Sequence, residues 1–239
     1  MDTQILSGKV VSTAVYQALE SRISELQSKS INPGLAVILV GEDTASRIYV
    51  NSKSKKFSDL GLHSETTQLP ENVSQKTLLS LVRSLNENNN FHGILVQFPL
   101  PKHIDNEVII NAIDPIKDVD GFHPVNQGHL AIGKPTIIPC TPKGIMRILE
   151  HYNIDLSGKH VVVVGRSNIV GRPISILTSL KGSFSNATVT ICHSGTKNIS
   201  DHTLQADVVI LALGYPEFLT SKDIKDGAVV IDVGINRIE

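Results

Sequence analysis

The chain has little of what several classes of protein require. Its 239 residues include 2 Cys, no Trp and only 4% aromatic residues, and its formal net charge is −1. Two distant cysteines do not form the disulfide framework of a small secreted protein. A nearly neutral chain with few aromatic residues is not expected to bind nucleic acid. No apolar run reaches the roughly 18 residues of a membrane span, and the first residues lack the pattern of a signal peptide. We therefore expect a protein of the reducing cytoplasm, without nucleic-acid or membrane partners.

What the chain does contain is a regular alternation of strand and helix patterns. Short runs of branched apolar residues at 35–40, 93–96 and 160–164 are typical of strands that a parallel sheet buries on both faces. Segments 10–26 and 44–60 carry apolar residues at helical spacing. This order predicts an α/β fold with parallel sheets and right-handed crossovers.

The alternation is interrupted once, between residues 114 and 142. That stretch is rich in Pro, Gly and Asp and is long for a simple connection, which is typical of a functional loop. We predict two α/β domains whose parallel sheets flank a cleft, the first spanning 1–140 and the second 141–239.

A strand, a glycine turn and the start of a helix follow one another near residue 165. Gly165 allows a tight turn, and Gly171 allows the helix to approach the strand. Backbone N–H groups at such a helix start bind pyrophosphate. The spacing is one residue longer than the usual fingerprint, and Ser167 replaces its second glycine. The pattern favours a Rossmann-like nucleotide-binding domain, and a plain strand-turn-helix is the alternative.

The following strand helps to choose the cofactor. A site for NAD usually has an acidic residue at the end of this strand, but here the chain reads Cys192, His193, Ser194. Arg166 and Ser194 can bind a 2′-phosphate, which a carboxylate would repel. The residues therefore favour NADP, although Arg166 and Ser194 could equally be ordinary surface residues.

Candidate reactive residues lie in the first half of the chain. Tyr49 and Lys53 are four residues apart on a predicted helix and share one face. Gln97 comes directly after a buried strand, at the sheet edge where ligands gather in open α/β folds. The alternatives are a solvated lysine, a packing tyrosine and a glutamine that binds its own loop.

The acidic cluster Asp114, Asp118 and Asp120 raises the question of a metal site. The spacing is not that of a calcium-binding loop. Cys140 and Cys192 have no close partners with which to bind zinc. We predict no metal site.

Several motifs taken together resemble one known family. They are YVNSK at 49–53, GILVQFPLP at 93–101, KDVDGF at 117–122, PCTP at 139–142, GRSNIVGRP at 165–173 and IDVGIN at 231–236. In this order they closely resemble the bifunctional methylenetetrahydrofolate dehydrogenase/methenyltetrahydrofolate cyclohydrolase family, over nearly the whole chain. Phe98 stands where many relatives have Leu.

The resemblance implies two reactions at one site, in one-carbon metabolism and purine biosynthesis. A hydride passes from 5,10-methylenetetrahydrofolate to NADP⁺, and water then converts the methenyl product to 10-formyltetrahydrofolate. It implies catalytic roles for Lys53, for Gln97 as the residue that positions it, and for Tyr49, which would also stack on the folate. Asp120 would bind the amino edge of the pterin.

The resemblance also implies the binding partners of the second domain. The implied NADP-binding residues are Gly165, Arg166, Ser167, Ile169, Val170, Gly171, Arg172, Ser194 and Ile235. A homodimer joined through the NADP-binding domains is implied as well. The family continues through a PGGVGPMT loop and a final helix, which the present 239 residues do not include.

Two other functions remain open from the residues alone. One is a different two-domain NADP-dependent dehydrogenase, acting on an amino or hydroxy acid. The other is a protein that binds a nucleotide or a partner without catalysis.

Overall fold

A computed structural model describes residues 3–234, in which helices and strands alternate. In chain order the elements are α1 (Gly8–Ser28), β1 (Gly34–Val40), α2 (Thr44–Asp59), β2 (His63–Leu69), α3 (Gln75–Glu87), β3 (Gly93–Val96), α4 (Asn106–Ala112), α5 (Pro124–Ala131), α6 (Cys140–His151), β4 (His160–Val164), α7 (Gly171–Ser179), β5 (Thr188–Cys192), α8 (Ile199–Thr203), β6 (Val208–Leu211) and β7 (Val229–Asp232).

The first sheet has the strand order β2-β1-β3, and all its pairings are parallel. Every residue of β1 is buried, as its continuous apolar run predicts. Because β2 and β3 lie on opposite sides of β1, the strand order reverses there. The crevice beyond the carboxyl ends of strands at such a reversal is where open α/β sheets bind ligands.

The second sheet has the order β5-β4-β6-β7 and is also parallel throughout. Its strand order reverses at β4, which lies between β5 and β6. Val161 to Val164 are almost fully buried, because helices cover both faces of the sheet. The predicted α/β class, with a Rossmann-like second sheet, is confirmed.

The chain divides into two compact units at a different place from the predicted domain boundary. Ser12–Val125 forms the first unit, and the flanking residues, up to Val11 and from Asn126 onward, form the second. Two contacts explain the division. The Ser7 N–H donates to the Tyr152 hydroxyl at 2.7 Å, and Leu130, before residue 140, is fully buried in the apolar core of the second unit.

Helix α5 lies in the stretch that sequence reasoning left irregular, and that expectation was wrong. Its residues PVNQGHLA include several weak helix formers, so local propensity gives little signal. Burial supplies what propensity does not. Asn126 is buried and its side-chain oxygen accepts a hydrogen bond from the Thr136 hydroxyl at 3.0 Å.

No helix among residues 3–234 is both long enough and apolar enough to cross a membrane.

Candidate active site

Lys53 and Gln97 meet at the carboxyl edge of the first sheet. The Lys53 Nζ donates to Gln97 Oε1 at 3.4 Å, and both side chains are partly buried. The Gln97 amide nitrogen donates to the Phe98 carbonyl at 2.8 Å, which fixes the direction of its oxygen. Gln97 itself is anchored because its N–H donates to Ile38 O of β1 at 2.9 Å. The pair predicted from separate motifs is therefore in contact.

Helix α2 carries Lys53 and begins at a well-defined cap. The Asp43 carboxylate accepts a hydrogen bond from the Ser46 N–H at 2.7 Å, which satisfies one of the unpaired donors of the first turn. Tyr49 lies one turn before Lys53 and is 43% exposed, so it is not a packing residue. Its ring is available to a ligand on the helical face it shares with Lys53.

Asp120 belongs to the same group of side chains. Burial raises its pKa to about 6, the positive charge of Lys53 lowers it, and the negative charge of Asp118 raises it. Lys53 acts on Asp120 electrostatically although the two are far apart in sequence. The structure therefore brings Lys53, Gln97 and Asp120 into one cluster.

The segment that carries Asp120 runs beside β3. The Ile94 N–H donates to Lys117 O at 2.7 Å, and Ile94 pairs with Asp118 in an isolated parallel bridge. This register brings Asp120 toward the carboxyl end of β3. Sequence reasoning did not identify this pairing, because a bridge of one residue pair leaves no periodic signal.

The glycine turn after β4 has the geometry that a side chain would forbid. Gly165 has a φ of +122°, and a Cβ there would collide with the backbone carbonyl of Ala212. A Cβ on Gly171 would collide with the backbone of Gly165. Both glycines are required because the turn, the helix start and the residue that follows β6 approach one another closely.

Ser167 binds the backbone just before and at the start of the helix that follows this turn. Its hydroxyl oxygen accepts hydrogen bonds from the N–H groups of Val170 at 3.2 Å and Gly171 at 3.3 Å. Sequence reasoning treated Ser167 only as a cofactor contact and did not predict these backbone hydrogen bonds. The residue type is compatible with this role, since Ser side chains commonly bind backbone groups of neighbouring residues.

Basic and polar side chains surround the turn. The Arg172 Nε donates to Arg166 O at 3.3 Å, which keeps its guanidinium beside the turn. Ser194 follows β5, whose Cys192 carbonyl accepts a hydrogen bond from the Gly165 N–H at 2.8 Å. Exposed side chains of the predicted set are Arg166, Ser167, Ile169, Arg172 and Ser194, whereas Val170 is partly buried and Gly171 is buried. Ile235 lies outside the described residues.

These residues fit a dinucleotide phosphate. The cradle has no Cβ at its two closest approaches, lies where the strand order reverses, and is bordered by two arginines. The described residues give a different result for a metal ion. Among residues 3–234 no group of three or more His, Cys, Asp or Glu side chains is arranged to hold an ion.

Fold and site together define a class: an α/β enzyme with a lysine-centred site on one parallel sheet and a Rossmann-like nucleotide site on another. Family sequence models agree. Residues 6–120 match the tetrahydrofolate dehydrogenase/cyclohydrolase catalytic domain, and residues 139–239 match the NAD(P)-binding domain of the same enzymes.

Individual relatives match along the whole chain. The bifunctional protein FolD of Acetivibrio thermocellus is 52% identical over 239 residues, which cover 100% of this chain and 82% of that protein. The crystal structure of FolD from Campylobacter jejuni has a TM-score of 0.93 at 46% identity, covering 99% of this chain and 83% of that one. The Trypanosoma brucei enzyme, complexed with NADP cofactor and inhibitor, also has a TM-score of 0.93, at 36% identity, covering 100% and 81%.

The chain belongs to the tetrahydrofolate dehydrogenase/cyclohydrolase family. This confirms the resemblance drawn from the motifs, and with it the expectation of a bifunctional one-carbon folate enzyme that uses NADP. Neither alternative, another two-domain dehydrogenase or a binding protein without catalysis, is supported by these relatives.

Proposed function

We propose that the chain oxidises 5,10-methylenetetrahydrofolate with NADP⁺ and then hydrolyses the methenyl product to 10-formyltetrahydrofolate, with Lys53 at the centre of the chemistry. The observation that carries the assignment of Lys53 is its contact with Gln97 at 3.4 Å, together with its electrostatic coupling to Asp120. A solvated lysine on a helix surface would have neither.

The residues of the first unit have separate roles in binding and catalysis. Asp120 accepts hydrogen bonds from the amino edge of the pterin, for which a carboxylate offers two parallel acceptors. Tyr49 stacks on the folate ring system with its exposed ring. Gln97 holds the Lys53 amine at one orientation, since its own amide is fixed by the Phe98 carbonyl.

The two reactions need different help from the protein. A bound nicotinamide would supply the acceptor for the hydride of the methylene carbon. In the hydrolysis, water adds to the methenyl carbon and loses a proton. The bond between that carbon and one ring nitrogen then breaks, the nitrogen takes up a proton, and the remaining hydroxyl proton leaves as the formyl C=O forms, so that one proton is released overall. Lys53 is the group that exchanges these protons, because its amine lies at the sheet edge and is held there by Gln97.

The second unit holds the cofactor. The proposed NADP contacts are Gly165, Arg166, Ser167, Ile169, Val170, Gly171, Arg172, Ser194 and Ile235. Arg166 and Ser194 would bind the 2′-phosphate. The absence of an acidic residue after β5 supports NADP over NAD, because a carboxylate there would repel that phosphate.

The proposal extends to assembly and location. It includes a homodimer joined through the NADP-binding domains, a cytoplasmic enzyme and a supply of formyl groups to purine biosynthesis. Whereas the compact units of the structure divide between Val125 and Asn126, the proposal keeps 1–140 and 141–239 as functional domains. The family matches, which end at 120 and resume at 139, are compatible with that boundary.

Substitution of Lys53 tests the proposal. We expect Lys53→Met to lower the rate of methenyltetrahydrofolate hydrolysis by about 10²- to 10⁴-fold, the usual contribution of a positioned acid-base group. The measurement follows methenyl absorbance, with NADPH formation recorded separately from methylenetetrahydrofolate and NADP⁺. Circular dichroism and thermal unfolding check that the variant remains folded.

Lys55→Met is the matched control, since Lys55 is an exposed lysine on the same helix. It should retain ordinary hydrolysis. A folded Lys53→Met variant that hydrolyses methenyltetrahydrofolate as fast as this control would remove Lys53 from the mechanism.

A further inference from the structure

Lys117 binds the end of a helix rather than a carboxylate or solvent. Its ammonium donates to three backbone carbonyls at the end of α3, those of Leu85 at 3.1 Å, Asn86 at 2.7 Å and Asn88 at 2.9 Å. An ammonium has three N–H donors, so all three are used. The last carbonyls of a helix lack partners within the helix and carry its partial negative charge, which makes this a favourable place for a cation.

Asn86 holds the same segment at a second place. Its side-chain nitrogen donates to the Ala112 carbonyl at 2.8 Å, and its side-chain oxygen accepts from the Asp114 N–H at 2.9 Å. We call these contacts of Asn86 and Lys117 the α3 clamp. The clamp fixes the chain from residue 112 to residue 117 against one helix end.

The clamped segment leads directly into the folate site. The Lys117 carbonyl pairs with the Ile94 N–H of β3, and three residues later comes Asp120. On the far side, the buried Asp118 carboxylate accepts from the His123 N–H at 2.8 Å and closes the turn through Gly121. Asp120 is thus held between the clamp and this turn.

Asp120 needs such support because its surroundings disfavour the ionised carboxylate. Burial and the neighbouring Asp118 both disfavour its carboxylate, and only Lys53 favours it. A group held in an unfavourable environment persists where the surrounding backbone is firmly fixed. Without fixation, a turn of this segment would carry the carboxylate toward water and away from Lys53.

We infer that Lys117 is a positioning residue for folate binding: through the α3 clamp it sets the place of Asp120 relative to Lys53. This inference rests on the proposed contact between Asp120 and the pterin. Lys117 touches no substrate in this scheme. Its effect is transmitted through three residues of backbone.

Kinetics of Lys117→Met test the inference. We expect the KM for methylenetetrahydrofolate to rise about tenfold, the effect of losing hydrogen bonds from a charged donor. The KM for NADP⁺ and the kcat should stay unchanged, because neither the glycine turn nor Lys53 moves. A purely structural role would instead lower the amount of active enzyme at constant KM. Lys117→Arg, which keeps charge and donors, should restore much of the folate affinity.

Lys76→Met is the control, because Lys76 is an exposed lysine in the first turn of the same helix, far from its carbonyl end. It should leave all constants unchanged. If Lys117→Met does not fold, Asn86→Ala removes the other half of the clamp and carries the same expectation. An unchanged folate KM in the folded variant overturns the inference.

A double-mutant cycle with Asp120→Ala separates this inference from the proposed function. If the clamp acts through Asp120, the effects of Lys117→Met and Asp120→Ala are not additive, because the second change removes the group that the first displaces. Additive effects would overturn the positioning role alone. If Asp120→Ala itself leaves folate KM unchanged, the proposed pterin contact is wrong as well.

Discussion

The two sites of this chain are built from different parts of the polypeptide. At the edge of the first sheet, three side chains from separate segments, Lys53, Gln97 and Asp120, form the cluster. After β4 of the second sheet, one contiguous turn, in which Gly165 and Gly171 have no side chain, forms a cradle of backbone. The first site depends on particular side chains, and the second depends on the absence of side chains at Gly165 and Gly171.

This difference predicts how each site responds to substitution. A side-chain site loses the function of the group removed, while the backbone that carried it stays in place. A backbone site has no spare volume at its closest approaches, so any added atom must move the chain. Changes at the glycine turn should therefore affect stability and function together, whereas changes at the lysine cluster should separate them.

The largest effect is expected for Gly165→Ala. The positive φ of 122° strains a residue with a Cβ, and the new methyl group would collide with the Ala212 carbonyl, directly after β6. Strain and overpacking together should lower the free energy of unfolding by about 3 kcal/mol or more. NADP-dependent oxidation should be lost, and urea unfolding followed by circular dichroism gives the stability.

Gly144→Ala tests whether the loss is specific to the turn. Gly144 lies on α6, and a Cβ there would meet nothing within 4 Å. This change should raise the free energy of unfolding by about 0.5–1 kcal/mol, because alanine favours a helix over glycine. A Gly165→Ala variant as stable as wild type, with normal NADP⁺ kinetics, would show that the backbone cradle tolerates a side chain.

The second prediction, Asp120→Asn, should separate stability from function. The pKa of the Asp120 carboxyl, about 6, lies above the ordinary 3.8, chiefly because of burial. At pH 7 the ionised carboxylate therefore costs the folded protein about 1–3 kcal/mol. The amide avoids this cost, so the variant should be more stable at pH 7 and should bind folate more weakly, as urea titration and KM measurements will show.

The pH dependence of that stability has a definite sign. Below pH 3.8 the carboxyl is neutral in both states, and the penalty is absent. As pH rises from 3.8 to about 6, Asp120 ionises first in the unfolded chain, so the free energy of unfolding falls over this window. Above about pH 6 the penalty is constant. The difference in stability between wild type and Asp120→Asn should grow across that range. A difference independent of pH would contradict the burial of Asp120.

Much of the fold follows from local pattern. The strands at 93–96 and 160–164 were predicted with the bounds that the structure gives, since a short branched apolar run between breakers leaves little choice. Strand order was not predictable in the same way, because it depends on which strands pair across the sheet. Helix α5 was missed because the burial of Asn126 and Leu130, rather than its own sequence, maintains it.

The two sites also differ in how much of each can be predicted from local sequence. The glycine turn is visible in sequence because all its parts lie within 165–173. The contact of Lys53 with Gln97 spans 44 residues and becomes visible only when the sheet brings the two together. The structural role of Lys117 could not be predicted, because its three acceptors are backbone carbonyls of residues 85–88. Every residue type has a backbone carbonyl, so the sequence gives no sign of this contact.

The smallest effect is expected from helix caps, and it sharpens the comparison within the first unit. Asp43→Ala removes the cap of α2, where the carboxylate accepts from the Ser46 N–H at 2.7 Å. The free energy of unfolding should fall by about 1 kcal/mol. Since Tyr49 lies in the second turn of the loosened helix, we also expect a modest rise in folate KM, measurable by steady-state kinetics.

Ser74→Ala provides the matched cap on a helix without reactive residues. The Ser74 hydroxyl accepts from the Thr77 N–H at 3.1 Å at the start of α3, far from the carbonyl end that Lys117 binds. It should cost a similar free energy of unfolding, about 1 kcal/mol, with unchanged folate KM. If both variants lose stability equally and also raise the folate KM equally, then α2 has no special part in holding the site. The side-chain cluster would then depend less on this helix than the position of Tyr49 and Lys53 on α2 implies.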